Sequence, residues 1–308
     1  MTIAQIKSPE VALDGHLRSA ILATLAYSDI FDYPLTADEV ARFLIRSQAS
    51  PQEIVDALAS DPSLVTLVCS NGSHYALAGR ASLFFTRQER AARSAMLLSQ
   101  AVHYGRLIGA LPFVRMVAVT GAVAAGNAQP DADLDYLVVT KPGWLWLCRL
   151  MILALNRGAK AFGLRAELCP NYLLTENALA LQERDLFTAQ EFARMLPVYG
   201  FDLFDRLRVQ NTWVSQFLPG ANGHLENMAP EIAPLHKKWL EILMTTLRLS
   251  WLDRWEMRRK IKKFSRQFRL NNESRFSADF CKGHFDGHKE ATERAFQERL
   301  TKLSLDFK

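Results

Sequence analysis

The chain has 308 residues, of which 49% are apolar and 22% charged, and its formal net charge is +5. That length accommodates two or three globular units, and the composition excludes a disordered, collagen-like or wholly coiled-coil protein. Cys69, Cys148, Cys169 and Cys281 lie far apart with no CxxC pair, which argues against a cysteine-built zinc site and predicts free thiols in a reducing cytosol.

The N-terminus, MTIAQIKSPEV, carries no apolar signal core, so a cytoplasmic location is expected. The segment LRSAILATLAYSDI is spaced for a first helix. Thr36 and Glu39 then form a capping box for a second helix, and Ser50 and Glu53 repeat it for a third, with Pro51 at the favoured first position. LVTLVCSNGSHYALAG reads as two strands turning at Asn71-Gly72. Three helices and a hairpin, within residues 1–80, follow the order of a winged helix. The third helix would enter the major groove of DNA. Here it holds Glu53 and Asp56 and no Lys or Arg, which argues against DNA binding and for a structural or protein-contacting unit.

Residues 81–111 read as a linking helix with Arg87, Arg90, Arg93 and Arg106, expected to be solvated, although one or two could face a neighbouring phosphate site. From residue 112 to 180 the pattern alternates: strands at 114–120, 134–140 and 167–174 flank an apolar helix at 144–162. This predicts an α/β (α+β) core, with Pro170 marking an edge strand or a bulge. Residues 181–308 read as mainly helical, at 188–196, 203–217, 235–269 and 289–303, with 271–288 irregular.

The informative stretch is 117–139, VAVTGAVAAGNAQPDADLDYLVV. A strand ends at Gly121, a short helix begins, a polar loop follows, and a second strand opens on Asp133-Leu-Asp135. Gly121 allows close backbone approach to a ligand, and the amides that open a helix attract phosphate. Asp133 and Asp135, two apart on a strand, point to one face. Two carboxylates beside a phosphate site suit Mg²⁺, which shares its oxygen ligands with substrate phosphates. The bland alternative is that the aspartates only cap a turn, as Asp131 could.

With this motif the chain resembles the DNA polymerase beta-like nucleotidyltransferase superfamily, whose signature pairs Gly-Ser or Gly-Gly with a later Asp-x-Asp. More closely, it resembles bacterial nucleotidyltransferase-domain proteins with an N-terminal winged helix, through residues 27–34, 117–139, 168–173, 188–191 and 211–213. The resemblance implies a central mixed sheet with flanking helices. It also implies NTP as substrate and Mg²⁺ or Mn²⁺ bound by Asp133 and Asp135. The phosphates would lie along Gly121, Ala122, Gly126 and Asn127, and a nucleoside monophosphate would pass to an acceptor that the sequence does not identify.

Two positions depart from the superfamily. Ala122 stands where Ser or Gly is usual, which removes a hydroxyl contact to phosphate of about 1–3 kcal/mol. Asn171 stands in the strand that carries a third carboxylate in polymerising members; it can orient a hydroxyl but not take its proton, and Glu167 lies too early in that strand. A catalytically inactive nucleotide sensor or scaffold is therefore the alternative function. His284 and His288, with Asp286 between them, read as a surface loop rather than a metal site. Trp239, Trp251, Trp255, Phe264 and Phe268 lie on a basic helical stretch and are expected in the core, with contact to an anionic membrane surface as the other reading.

Overall fold

The computed structural model describes residues 15–163, 167–221, 235–267, 275–283 and 288–305. The chain opens with helices α1 (Gly15–Asp29), α2 (Ala37–Arg42), α3 (Pro51–Ser60) and α4 (Pro62–Leu67), then hairpin strands β1 (Val68–Ser70) and β2 (Tyr75–Leu77). Both capping boxes form, with Thr36 accepting from Glu39 N and Ser50 from Glu53 N. Residues 62–67 are helical rather than the expected strand. Asp61 accepts from the amides of Ser63 and Leu64, and Pro62 opens the turn, so a local cap overrides an apolar run that suits either structure.

Helix α1 is buried along Ala20–Ser28, on all sides. Ile21, Leu22 and Leu25 enter a small core with Val40, Ile54 and Leu64, while Ala23, Ala26 and Tyr27 enter the core under the central sheet. A helix apolar all round belongs between two packed layers, and this one joins the N-terminal unit to the rest.

After α5 (Leu83–Gly109) come β3 (Val114–Val119), α6 (Gly121–Ala124), β4 (Leu134–Thr140), α7 (Leu145–Ala161), β5 (Leu168–Thr175), α8 (Leu186–Ala193), β6 (Leu196–Tyr199) and α9 (Phe201–Gln210). Then follow α10 (Leu235–Thr246), α11 (Ser250–Gln267), β7 (Arg275–Phe276), β8 (Phe280–Lys282) and α12 (His288–Lys302). The architecture is mixed α and β. One six-stranded sheet runs in the order β6-β3-β4-β5-β8-β7, with β4 and β5 parallel and the other pairs antiparallel. One face (Met116, Ala118, Leu137, Val139) packs on α1, α8, α9 and α12; the other (Val117, Val119, Tyr136, Val138) packs on α5, α7 and α11.

Several expectations are corrected. Leu196, expected to end the helix at 188–196, instead opens edge strand β6 on β3. Part of the region expected to be irregular supplies β7 and β8. The long basic helix breaks between α10 and α11 at Arg248, whose φ is +52°. Pro170 sits at a bulge rather than on an edge strand: the β4–β5 register steps from Tyr136↔Pro170 to Leu137↔Tyr172, leaving Asn171 as the extra residue. Trp239, Trp251 and Trp255 are 71%, 55% and 54% exposed, whereas Phe264 is buried; Phe268 lies outside the described residues. The inward sides of α10 and α11 carry Met244, Met257, Ile261 and Phe264 together with the polar Lys237, Glu241, Asp253 and Glu256. All four cysteines are free thiols. No helix among the described residues is long and apolar enough to cross a membrane.

Candidate active site

Strand alternation puts Asp135 on the same face as Leu137 and Val139, but at the start of β4, where the apolar core gives way. There the turn after α1, the start of α6, helix α8 and the start of α12 enclose a cavity of about 480 Å³. Gly121, Ala122, Asn127, Asp135 and Asn171 line it together with Tyr33, Gln190, Glu191, Arg194 and His288. Gly126 is not among the lining residues, and Asp133 is exposed on a neighbouring groove, where its Oδ1 accepts from Glu167 N at 3.3 Å.

Gly121 and Asp135 are packed as a unit. Gly121 has φ +67°, and a Cβ built there would lie 2.4 Å from Asp135 Oδ2. Only glycine satisfies both the left-handed backbone and that approach. Thr120 N donates to Asp135 O at 2.9 Å, which ties the turn to the strand. The bulge at Asn171 brings its Nδ2 to within 3.2 Å of Asp135 Oδ1, to which it donates.

The electrostatics differ from those of an ordinary ion-paired carboxylate. Burial first, then the nearby charges of Asp133 and Glu191, push Asp135 up from 3.8 to about 7. Glu191 is raised as well, chiefly by burial, against the opposing pull of Arg194, Lys282 and His288. Its side chain is open to solvent by surface area yet surrounded by protein mass, as befits a group facing into a cavity. Among the described residues the Glu191 carboxylate has no hydrogen bond or ion pair, while its backbone carbonyl accepts from Arg194 N at 3.3 Å. Arg194 stacks on Phe43, 3.9 Å from the ring centroid, and donates to the Gln190 side chain and to Gln190 O. Cys169, beside Asp135 on β5, has its thiol pushed up to about 12 by burial and then by the charges of Asp135, Asp133 and Glu167.

Asp133, Asp135 and Glu191 offer oxygen donors only, the set that suits Mg²⁺ or Mn²⁺. Burial is the first cause of the raised Asp135 and the neighbouring carboxylates the second. Among the described residues no group of three His, Cys, Asp or Glu side chains is close enough to hold a metal unaided.

The loop from Gly126 to Ala128 is clamped from α5. Arg87 donates to Gly126 O at 3.1 Å, Arg90 to Asn127 Oδ1 at 3.1 Å, and Arg93 to Ala128 O at 3.1 Å. Arg87 also pairs with Glu39 at 2.9 Å and stacks on Tyr33 at 4.0 Å, its Nε alone lacking a partner. The arginines read as solvated therefore hold carbonyls, and Asn127 holds the seam, its Nδ2 donating to Phe31 O at 2.9 Å.

Glu191 and Arg194 are the cavity residues that the sequence reading passed over. A trace existed: Gln190, Glu191 and Arg194 are polar residues at helical spacing in an otherwise apolar stretch, LFTAQEFARM. His284 and Asp286 lie outside the described residues, so only His288 of that cluster is placed, at the cavity. Comparison with family models, with curated proteins and with solved structures gave no match for this chain.

Proposed function

We propose that the protein is a divalent-metal-dependent nucleotidyltransferase that moves a nucleoside monophosphate from an NTP to an acceptor hydroxyl. The observation that carries this reading is Asp135: an uncompensated carboxylate pressed against the Gly121 turn and facing Glu191 across a cavity of about 480 Å³. The fold reading beneath it is a nucleotidyltransferase-like sheet with a winged helix before it.

In this reading the phosphates lie along the Gly121–Ala122 turn, whose opening amides have no partner within so short a helix. Asp135, with Asp133 reaching in from the neighbouring groove, would hold Mg²⁺ or Mn²⁺, which would supply Lewis acidity to the phosphate oxygens. Arg194 supplies positive charge from α8. Asn171 keeps the Asp135 carboxylate in place and cannot act as a base. Glu191 takes the proton of the acceptor hydroxyl, a task suited to a carboxylate that burial raises above its ordinary value. The acceptor oxygen bonds to the α-phosphorus as the bond to the β-phosphate's bridging oxygen breaks, and pyrophosphate leaves. The winged helix serves as a wall of the site: Ser28 to Tyr33 line the cavity, while exposed Glu53 and Asp56 leave α3 unsuited to DNA.

One observation favours a second reading, a nucleotide-binding scaffold without turnover. Asn171 already occupies one oxygen of Asp135, and no third strand carboxylate stands beside it. Incubation with each NTP labelled at the α-phosphate, with Mg²⁺ or Mn²⁺ and a cell extract as acceptor source, separates the two. Transfer by wild type that falls about 10²–10⁴-fold in Glu191→Gln, and disappears in Asp135→Asn, supports the enzyme. Binding without transfer supports the scaffold, and no binding of any NTP sinks both.

A further inference from the structure

Helices α10 and α11 pack Met244, Met257, Ile261 and Phe264 into the core, yet also turn polar groups inward and leave large apolar side chains outward. Lys237 is buried, and its Nζ donates to Gly109 O, Val114 O and Tyr199 Oη at 2.7, 2.6 and 2.8 Å. Glu241 accepts from Phe113 N at 2.7 Å and takes both ends of the Arg115 guanidinium at 2.7 and 2.9 Å. On α11, buried Asp253 accepts from Leu147 N at 2.8 Å, and buried Glu256 pairs with Arg259. These anchors fix which side of each helix faces the sheet.

The outward side then carries Trp239, Ile242, Leu243, Leu247, Trp251 and Trp255, each between 53% and 71% exposed. Scattered apolar residues need no explanation, but a run of this size on consecutive helices marks an interaction surface. Its charge is one-sided. Lys238, Arg248, Arg254, Arg258, Lys262 and Lys263 are exposed, whereas all three acids of the two helices (Glu241, Asp253 and Glu256) turn inward.

We propose that the outward side of α10 and α11 is a docking surface for an anionic lipid bilayer. The aliphatic residues enter the acyl boundary, the tryptophan rings sit at headgroup level, and the basic side chains meet lipid phosphates. A second copy of this chain would bring like charges together. A nucleic acid would leave Ile242, Leu243 and Leu247 without a use. The inference does not rest on the nucleotidyltransferase reading, and the bilayer would bring that site near a surface whatever its chemistry.

The test uses the full chain with vesicles of phosphatidylcholine, alone or mixed with phosphatidylglycerol, read by co-sedimentation and tryptophan emission. Binding and a blue shift are expected with the anionic vesicles alone, weakening as salt is raised. Trp239→Ala/Leu243→Ala/Trp251→Ala, at exposed positions that leave the fold's circular dichroism unchanged, should abolish both signals. Arg258→Glu/Lys262→Glu should weaken binding by about fivefold or more for each basic side chain lost. The proposal is overturned by no binding, by equal binding to neutral vesicles, or by self-association that the apolar triple variant removes without any vesicle binding. Salt-sensitive capture of RNA in place of vesicles would overturn it too.

Discussion

Around Arg87 the N-terminal helices meet the central domain through matched charges, whereas in the cavity next to that seam Asp135 has carboxylate neighbours and, among the described residues, no ion-pair partner. At the seam Arg87 has Glu39 and Gly126 O, and Asp32 has both Arg80 and Arg90. In the cavity Asp135 has an amide donor and two carboxylate neighbours, and burial raises both it and Glu191. The contrast separates two uses of buried polar residues. Matched networks hold parts together, and buried carboxylates with raised pKa in a cavity mark a candidate functional site.

The largest expected effect breaks the matched side. Arg87→Ala leaves Glu39 half-buried and Gly126 O unpaired, and should cost about 2–4 kcal/mol, below the upper range for fully buried pairs because Glu39 retains some solvent. Urea denaturation with an unchanged slope would measure it. An unshifted midpoint would mean the seam adds no stability.

Gly121→Ala strikes the cavity side through its backbone. A left-handed non-glycine residue costs on the order of 1–3 kcal/mol, and the new methyl would displace the Asp135 carboxylate. Both a lower melting temperature and loss of any nucleotide binding should follow; a variant that keeps full stability would contradict the packing described.

Asp135→Asn should act in the opposite direction. The folded protein holds the Asp135 proton up to about pH 7, while the unfolded chain releases it near the ordinary value of 3.8. Between those values the native state binds more protons, so this group's contribution to stability is lost as pH rises from about 4 through 7. The neutral variant escapes that loss and should be more stable than wild type by about 1–3 kcal/mol above neutral pH, with the difference closing toward pH 4. Paired melting curves across that range check it. A destabilised variant at high pH would mean that Asp135 has a cationic partner after all.

The smallest effect sharpens the contrast. Asn171→Asp exchanges an amide donor for a further carboxylate, and should cost about 1 kcal/mol in the metal-free protein above neutral pH while tightening Mg²⁺ or Mn²⁺ binding. Calorimetric titration with the metal alone would show whether affinity moves that way.

What the sequence disclosed follows how local each cause is. Both capping boxes were legible because Thr36–Glu39 and Ser50–Glu53 make their bonds within one turn. Gly121 and Asp135 were legible because a turn and a strand start announce themselves in spacing. Helix α4 was not, since LVTLV suits a strand or a helix until Asp61 caps it. Nor was β6, a four-residue edge whose pairing with β3 is long-range. Glu191 and Arg194 enter the cavity only because α8 packs on the face that bears Asp135. The outward tryptophans could not be read either, because which side of α10 faces the sheet is decided by the bonds of Lys237 and Glu241 to residues far away in the chain.

The most direct test of the account is the thermal stability of wild type and Asp135→Asn with ATP, GTP, CTP or UTP, each with and without Mg²⁺. A nucleotide at a hundredfold excess over its Kd adds about 2.7 kcal/mol. The account predicts that at least one NTP stabilises wild type only when Mg²⁺ is present, and that Asp135→Asn does not respond. No shift with any nucleotide, or an equal shift in the variant, would contradict it.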